Sequence, residues 1–105
     1  MGTLLYGASE SAVDIDDRAL VHLQYIIISK LRRHESFSFT WAYPVKEGSG
    51  KRSLWLHEAV PLQFLFNGSR PIPLNGDWLH VLARSASSTA GLVLTPEPQS
   101  RVPAA

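Results

Sequence analysis

The sequence contains no cysteine among its 105 residues. This absence excludes disulfide bonds, thiol nucleophiles and thiolate metal sites, and it fits a reducing compartment, so we expect a cytoplasmic protein. Neither sign of charge dominates, since ten basic and nine acidic side chains leave a formal net charge of +1. Without a global field, contact with nucleic acid or an anionic membrane requires a local patch.

Long hydrophobic runs are also missing. The longest, residues 25–28, is far too short to span a bilayer, and the N-terminus lacks the basic and apolar segments of a signal peptide. We therefore expect neither export nor a membrane partner. The length suits one domain, which we place at residues 1–95, followed by a disordered tail at 96–105 that is rich in proline and poor in apolar groups.

What the chain does have is an alternation of aromatic rings with small residues. The rings are those of Phe37, Phe39, Trp41 and Tyr43. A period of two places all of them on one face of a strand. Residues 53–57 and 60–66 are also strand-like, so the middle third predicts an antiparallel meander with one apolar face.

The orientation of the second strand of this meander depends on its turn. With two loop residues Trp55 shares the aromatic face, whereas with three Leu54 and Leu56 do. We favour Leu54 and Leu56 inside, because two aliphatic side chains suit a core better than a tryptophan and a histidine.

Helix and hairpin signals surround the meander. Residues 3–6 and 12–15 predict a first hairpin, and Asp16 is a suitable N-cap for a long helix ending near Arg33, with His22 on its polar stripe. Asn75 is the predicted N-cap of a second helix, and residues 92–95 are compatible with a final strand. The sequence thus predicts an α+β domain of order β-β-α-β-β-β-α-β, with the first helix packed on the aromatic face of an antiparallel sheet.

Motifs for catalysis or metal binding are weak. Asp14, Asp16 and Asp17 offer oxygen ligands, but a strand exit and a helix cap explain them more simply. The four histidines lack zinc-ligand spacing, and the Gly-Ser-Gly-Lys segment at 48–51 lacks the first glycine of a phosphate-binding loop. We predict no catalytic residue, no metal and no cofactor.

Basic side chains form the remaining cluster. They lie at the end of the first helix and in the loop before the second meander strand: Lys30, Arg32, Arg33, Lys46, Lys51 and Arg52. If the loop folds over the helix end, these charges form a patch for an anion or nucleic acid. Glu35 and Glu47 dilute the cluster, so we favour a solvated helix end and a mobile loop instead.

Several motifs carry a family resemblance over nearly the whole chain. They are Leu5-Tyr6-Gly7, Asp17-Arg18-x-Leu20-x-His22-Leu23, Lys30-Leu31-Arg32-Arg33-x-Glu35-Ser36-Phe37-x-Phe39-x-Trp41, Gly48-Ser49-Gly50, Leu54-Trp55-Leu56-His57, Phe64-x-Phe66-x-Gly68, Trp78 and Pro96-Glu97-Pro98. Together they resemble a family of small uncharacterised actinobacterial proteins often labelled "ATP-dependent DNA ligase". The resemblance implies at most an association with DNA, since none of the three lysines stands in the Lys-x-Asp-Gly motif that such ligases adenylate.

Three functional hypotheses follow. The preferred one is a non-enzymatic binding or interaction module that self-associates through an uncovered strand edge or an exposed ring. The second is a nucleic-acid-associated accessory protein that uses the basic cluster for weak contacts. The third is an enzyme with Asp14 and Asp16, or His57 and Glu58, as acid and base, and it is the least favoured because no convergent motif supports it.

Overall fold

A computed structural model describes residues 2–45 and 48–99 of the chain. The elements are β1 (Gly2–Tyr6), β2 (Ser11–Ile15), α1 (Asp17–Arg32), β3 (Phe37–Val45), β4 (Gly48–Leu56), β5 (Leu62–Leu65), α2 (Gly76–Ala86) and β6 (Leu92–Val93). This order confirms the α+β class and the predicted succession of strands and helices. No helix in the described part of the chain has both the length and the apolar character needed to cross a membrane.

The strands form two three-stranded sheets rather than one. The first, with order β2-β1-β5, is antiparallel, and the second, with order β4-β3-β6, carries β6 parallel to β3. The predicted meander is therefore wrong at its third strand, because β5 pairs with β1 instead of β4. Alternation within β5 indicates which side chains face the core, but it does not determine the partner strand. The backbone N–H of Gly7 extends the contact by donating to the carbonyl of Pro61 at 2.9 Å.

The aromatic strand faces the core as expected. Phe37, Phe39 and Trp41 are buried, while Ser38 and Thr40 between them are only half-buried. The side chain of Tyr43 lies outside the described residues. On the paired strand β4, Leu56 is fully buried and Trp55 is 58% exposed, which confirms the favoured orientation.

Both helices begin at the predicted caps. The Asp16 carboxylate accepts hydrogen bonds from the backbone N–H groups of Arg18 and Ala19, and the Asn75 side chain accepts from those of Asp77 and Trp78. Helix α1 lies mainly against β1 and α2, whereas α2 contacts β3 and β6. The aromatic rings thus share one core with both helices, rather than forming a platform for α1 alone.

Gly91, directly before β6, allows the backbone to approach β3 closely. Its φ of 79° is favourable for glycine alone, and a Cβ at this position would lie 2.7 Å from the carbonyl oxygen of Ser38. This close approach allows Leu92 to enter the core beside Phe39 in the parallel pair.

Candidate functional site

Two of the three cations at the helix end of the predicted basic patch share one carboxylate, that of Glu35. Lys30 is only 8% exposed, its Nζ lies 3.0 Å from Oε1 of Glu35, and it also stands 5.6 Å from the centre of the Phe37 ring. Arg33 contacts the other oxygen of the same carboxylate at 3.3 Å. The hydrogen bond from Lys30 lowers the pKa of Glu35, so this carboxylate stays ionised between the two cations.

The two basic residues of β4 do not join this cluster. In β4, Arg52 pairs with Trp41 and Lys51 with Ala42, so their side chains point to opposite faces of the sheet. The Arg52 guanidinium lies 5.4 Å from the centre of the Trp41 ring. Trp41 is four residues along β3 from Phe37, a separation of roughly 14 Å.

Arg32 is exposed and takes part in none of the ion pairs formed among the described residues. Lys46 lies outside the described residues. The assignment of these residues to an anion or nucleic-acid site remains a prediction.

The candidate acids and bases have structural partners. Asp17 accepts a hydrogen bond from the backbone N–H of Asn67 at 3.0 Å, and Asp14 accepts one from the hydroxyl of Thr3. Glu58 binds Nδ1 of His34, and Nδ1 of His57 accepts from the backbone N–H of Ala59. Within residues 2–45 and 48–99, no three histidine or carboxylate side chains are grouped to hold a metal ion.

His22 was placed wrongly by the sequence pattern, because it is fully buried instead of lying on a polar stripe. Its Nδ1 lies 2.7 Å from the carbonyl oxygen of Arg18, and its Nε2 accepts the backbone N–H of Asn75 at 2.8 Å. A carbonyl only accepts and an amide N–H only donates, so the hydrogen bonds assign a neutral ring with its proton on Nδ1. The ring packs against Trp78 with 4.6 Å between centres. His22 thus joins α1 to the start of α2.

Glu97 closes the same region from the C-terminal side. Nε and Nη2 of Arg18 donate to its two carboxylate oxygens at 2.7 and 2.6 Å, and Nδ2 of Asn75 donates to Oε2 at 2.8 Å. These hydrogen bonds, of which the one from Arg18 has the largest effect, lower the pKa of Glu97 to about 2. Glu97 and Pro98, near the start of the segment predicted to be disordered, are therefore held by hydrogen bonds to Arg18 and Asn75, while residues 100–105 lie outside the described residues.

The outer face of the second sheet carries an exposed ring. Trp55 lies opposite Ser38 there, and the hydroxyls of Ser53 and Thr40 are 2.7 Å apart beside it. The Trp55 carbonyl accepts the Tyr6 hydroxyl at 2.6 Å, so it points away from β3. Because backbone groups alternate along a strand, those of Lys51 and Ser53 also point outward.

β4 is an edge strand of the sheet, and on its outer side it pairs with no other strand of the described residues. This edge, together with the ring of Trp55, is the candidate functional site.

Comparison with known proteins identifies a family without adding an activity. No curated protein and no solved structure matches the chain. One family model matches, and it covers residues 1–97, which include all the strands and helices described above. The chain therefore belongs to the family described as a domain of unknown function, DUF7882.

Proposed function

We propose that this protein is a non-enzymatic interaction module of the cytoplasm that self-associates through the outer edge of β4. The observation that carries the proposal is Trp55, a large ring 58% exposed on an edge strand. Exposed tryptophan is over-represented among residues that dominate binding energy, and an unpaired strand edge is a template for another strand. The absence of cysteine supports the compartment.

A second copy of the chain is the partner that fits this edge. In an antiparallel pair centred on Ser53, each Lys51 lies opposite Trp55 of the other copy, and each Arg52 lies opposite Leu54. The ammonium group then approaches a ring face at both ends of the pair, an arrangement that is attractive. The carbonyl of Trp55 has a second lone pair for this contact beside the one used by Tyr6.

Charge disfavours the symmetric registers that lie nearer the N-terminal end of β4. In a symmetric pair of two β4 strands, one residue lies opposite its own counterpart. A shift of the register moves this central residue along the strand. A pair centred on Lys51 or on Arg52 places two identical cations directly opposite each other, which is destabilising. The pair centred on Ser53 avoids both repulsions.

A disulfide test reads this register directly. The chain has no cysteine, so a single introduced thiol reports on one position. Residues opposite each other in a hydrogen-bonded pair have Cα atoms about 5.5 Å apart, within the range of a disulfide. We expect Ser53→Cys to form a covalent dimer on mild oxidation, whereas Lys51→Cys should form no covalent dimer, because in this register its counterpart in the other copy is four residues away.

Sedimentation of the unmodified protein completes the test. We expect a monomer–dimer equilibrium that Trp55→Ser shifts towards monomer. A monomer at all accessible concentrations, or equal crosslinking of the two cysteine variants, would contradict the proposal.

A DNA-associated role is the alternative, and it rests on the resemblance to actinobacterial proteins that carry the ligase label. Its support in the structure is the exposure of Arg32, Lys51 and Arg52. Pairing of Lys30 and Arg33 with Glu35, and the separation of the two basic groups, favour the interaction module instead.

A further inference from the structure

An apolar groove runs between α1 and β5. The inner face of β5 is only half covered, because α1 lies over β1 and leaves Leu62 and Phe64 partly accessible. These two side chains, with Leu31 and Val60, line a groove of about 440 Å³. That volume is within the range of small-ligand sites, which is roughly 300–1,000 Å³, and the lining is mostly aliphatic and aromatic, as in such sites.

One end of the groove is polar and the rest is not. Arg32 and Glu58 are its two charged lining residues, at the end of α1 and in the turn before β5. The Glu58 carboxylate already has a hydrogen-bond partner in Nδ1 of His34. Arg32 has no ion pair with any described residue, which leaves a guanidinium with unused donors at the rim of an apolar surface.

We propose that this groove binds an aliphatic monocarboxylate, with the carboxylate on Arg32 and the hydrocarbon chain over Leu62 and Phe64. A guanidinium presents parallel N–H donors that match a carboxylate, and the ion pair fixes the orientation of the chain. The apolar lining supplies the affinity by removing methylene groups from water. The site goes beyond the interaction edge, since it uses α1 and β5 in place of β4.

The test compares ligands that differ only at the head group. Dodecanoate and dodecanol are titrated into the full-length protein below their aggregation concentrations, with acetate as the head group alone. Methyl resonances of Leu31, Val60 and Leu62 report on the groove, and those of Val81 and Val93, which are exposed elsewhere, report on unspecific adsorption. We expect shifts at the groove methyls alone, and a preference for the acid over the alcohol of about tenfold, as for an exposed charge-assisted contact.

Two exposed arginines on the same helix end provide the matched variants. Arg32→Gln should abolish the preference for dodecanoate over dodecanol while leaving dodecanol binding unchanged. Arg33→Gln should retain the preference, because Arg33 contacts Glu35 and does not line the groove. Equal affinity for acid and alcohol in the unmodified protein, shifts that include Val81, or an unchanged preference in Arg32→Gln would each overturn the proposal.

Discussion

Replacing Phe39 with alanine tests the packing of the aromatic strand most directly. The ring is fully buried, it stacks on Trp41 with 5.1 Å between centres, and it faces Leu54 and Leu92 on the two neighbouring strands. Truncation to a methyl group removes roughly 120 Å² of buried apolar area, which at about 25 cal/mol per Å² corresponds to about 3 kcal/mol. The lost ring contact adds about 0.5–1.5 kcal/mol. We therefore expect Phe39→Ala to lower the free energy of unfolding by about 3–5 kcal/mol.

Urea unfolding monitored by tryptophan fluorescence measures this loss. The total stability of a domain of this size is about 5–15 kcal/mol, so the variant should unfold at much lower urea or be partly unfolded in buffer. Ser38→Ala is the matched control, because this side chain lies on the other face of β3, and its hydroxyl makes one long hydrogen bond of 3.5 Å to the carbonyl of Ala90. Its effect should remain below about 1 kcal/mol. Comparable losses at both positions would refute the assignment of one buried face.

Three further predictions concern charge and the C-terminal segment. The pKa of Glu97 is lowered to about 2, so the contribution of its carboxylate to stability is present above pH 4.5 and is lost as the pH falls towards 2. In acid unfolding experiments, Glu97→Gln should make the free energy of unfolding less dependent on pH in this range. Deletion of residues 99–105 should change the free energy of unfolding by less than ~0.5 kcal/mol, whereas deletion from Pro96, which also removes Glu97, should lower the melting temperature clearly. Binding to duplex DNA should be undetectable near physiological salt in a fluorescence anisotropy titration, and sub-micromolar binding that the double variant Arg32→Ala, Arg33→Ala abolishes would favour the DNA-associated alternative.

The sequence was a good guide where structure is decided locally. The caps Asp16 and Asn75 act on backbone groups two and three residues away, and alternation determines which side chains of β3 face the core. Prediction from the sequence failed where contacts with a distant segment determine the structure. His22 is buried because Asn75 and Trp78 cover it, and nothing within one turn of α1 distinguishes it from a solvated histidine.

The partner of β5 and the contacts of Glu97 also depend on distant segments of the chain. The pattern of β5 is equally compatible with pairing to β4 or β1, and its partner was settled by β1, nearly sixty residues earlier in the chain. The ion pair of Glu97 with Arg18 spans 79 residues. The candidate site was accessible from sequence only in part: the outward orientation of Trp55 was predictable, but the edge position of β4 required the observed strand order.

The order of strands in the two sheets has a consequence for how the chain folds. The hairpins β1-β2 and β3-β4 are local and can form early, but the first sheet needs β5 and the second needs β6, which pairs with β3 across more than fifty residues. During synthesis the aromatic face of β3 therefore stays partly uncovered until α2 and β6 have left the ribosome. Such non-local pairing slows folding and prolongs exposure of apolar surface, so the nascent chain should depend on chaperones more than its small size suggests.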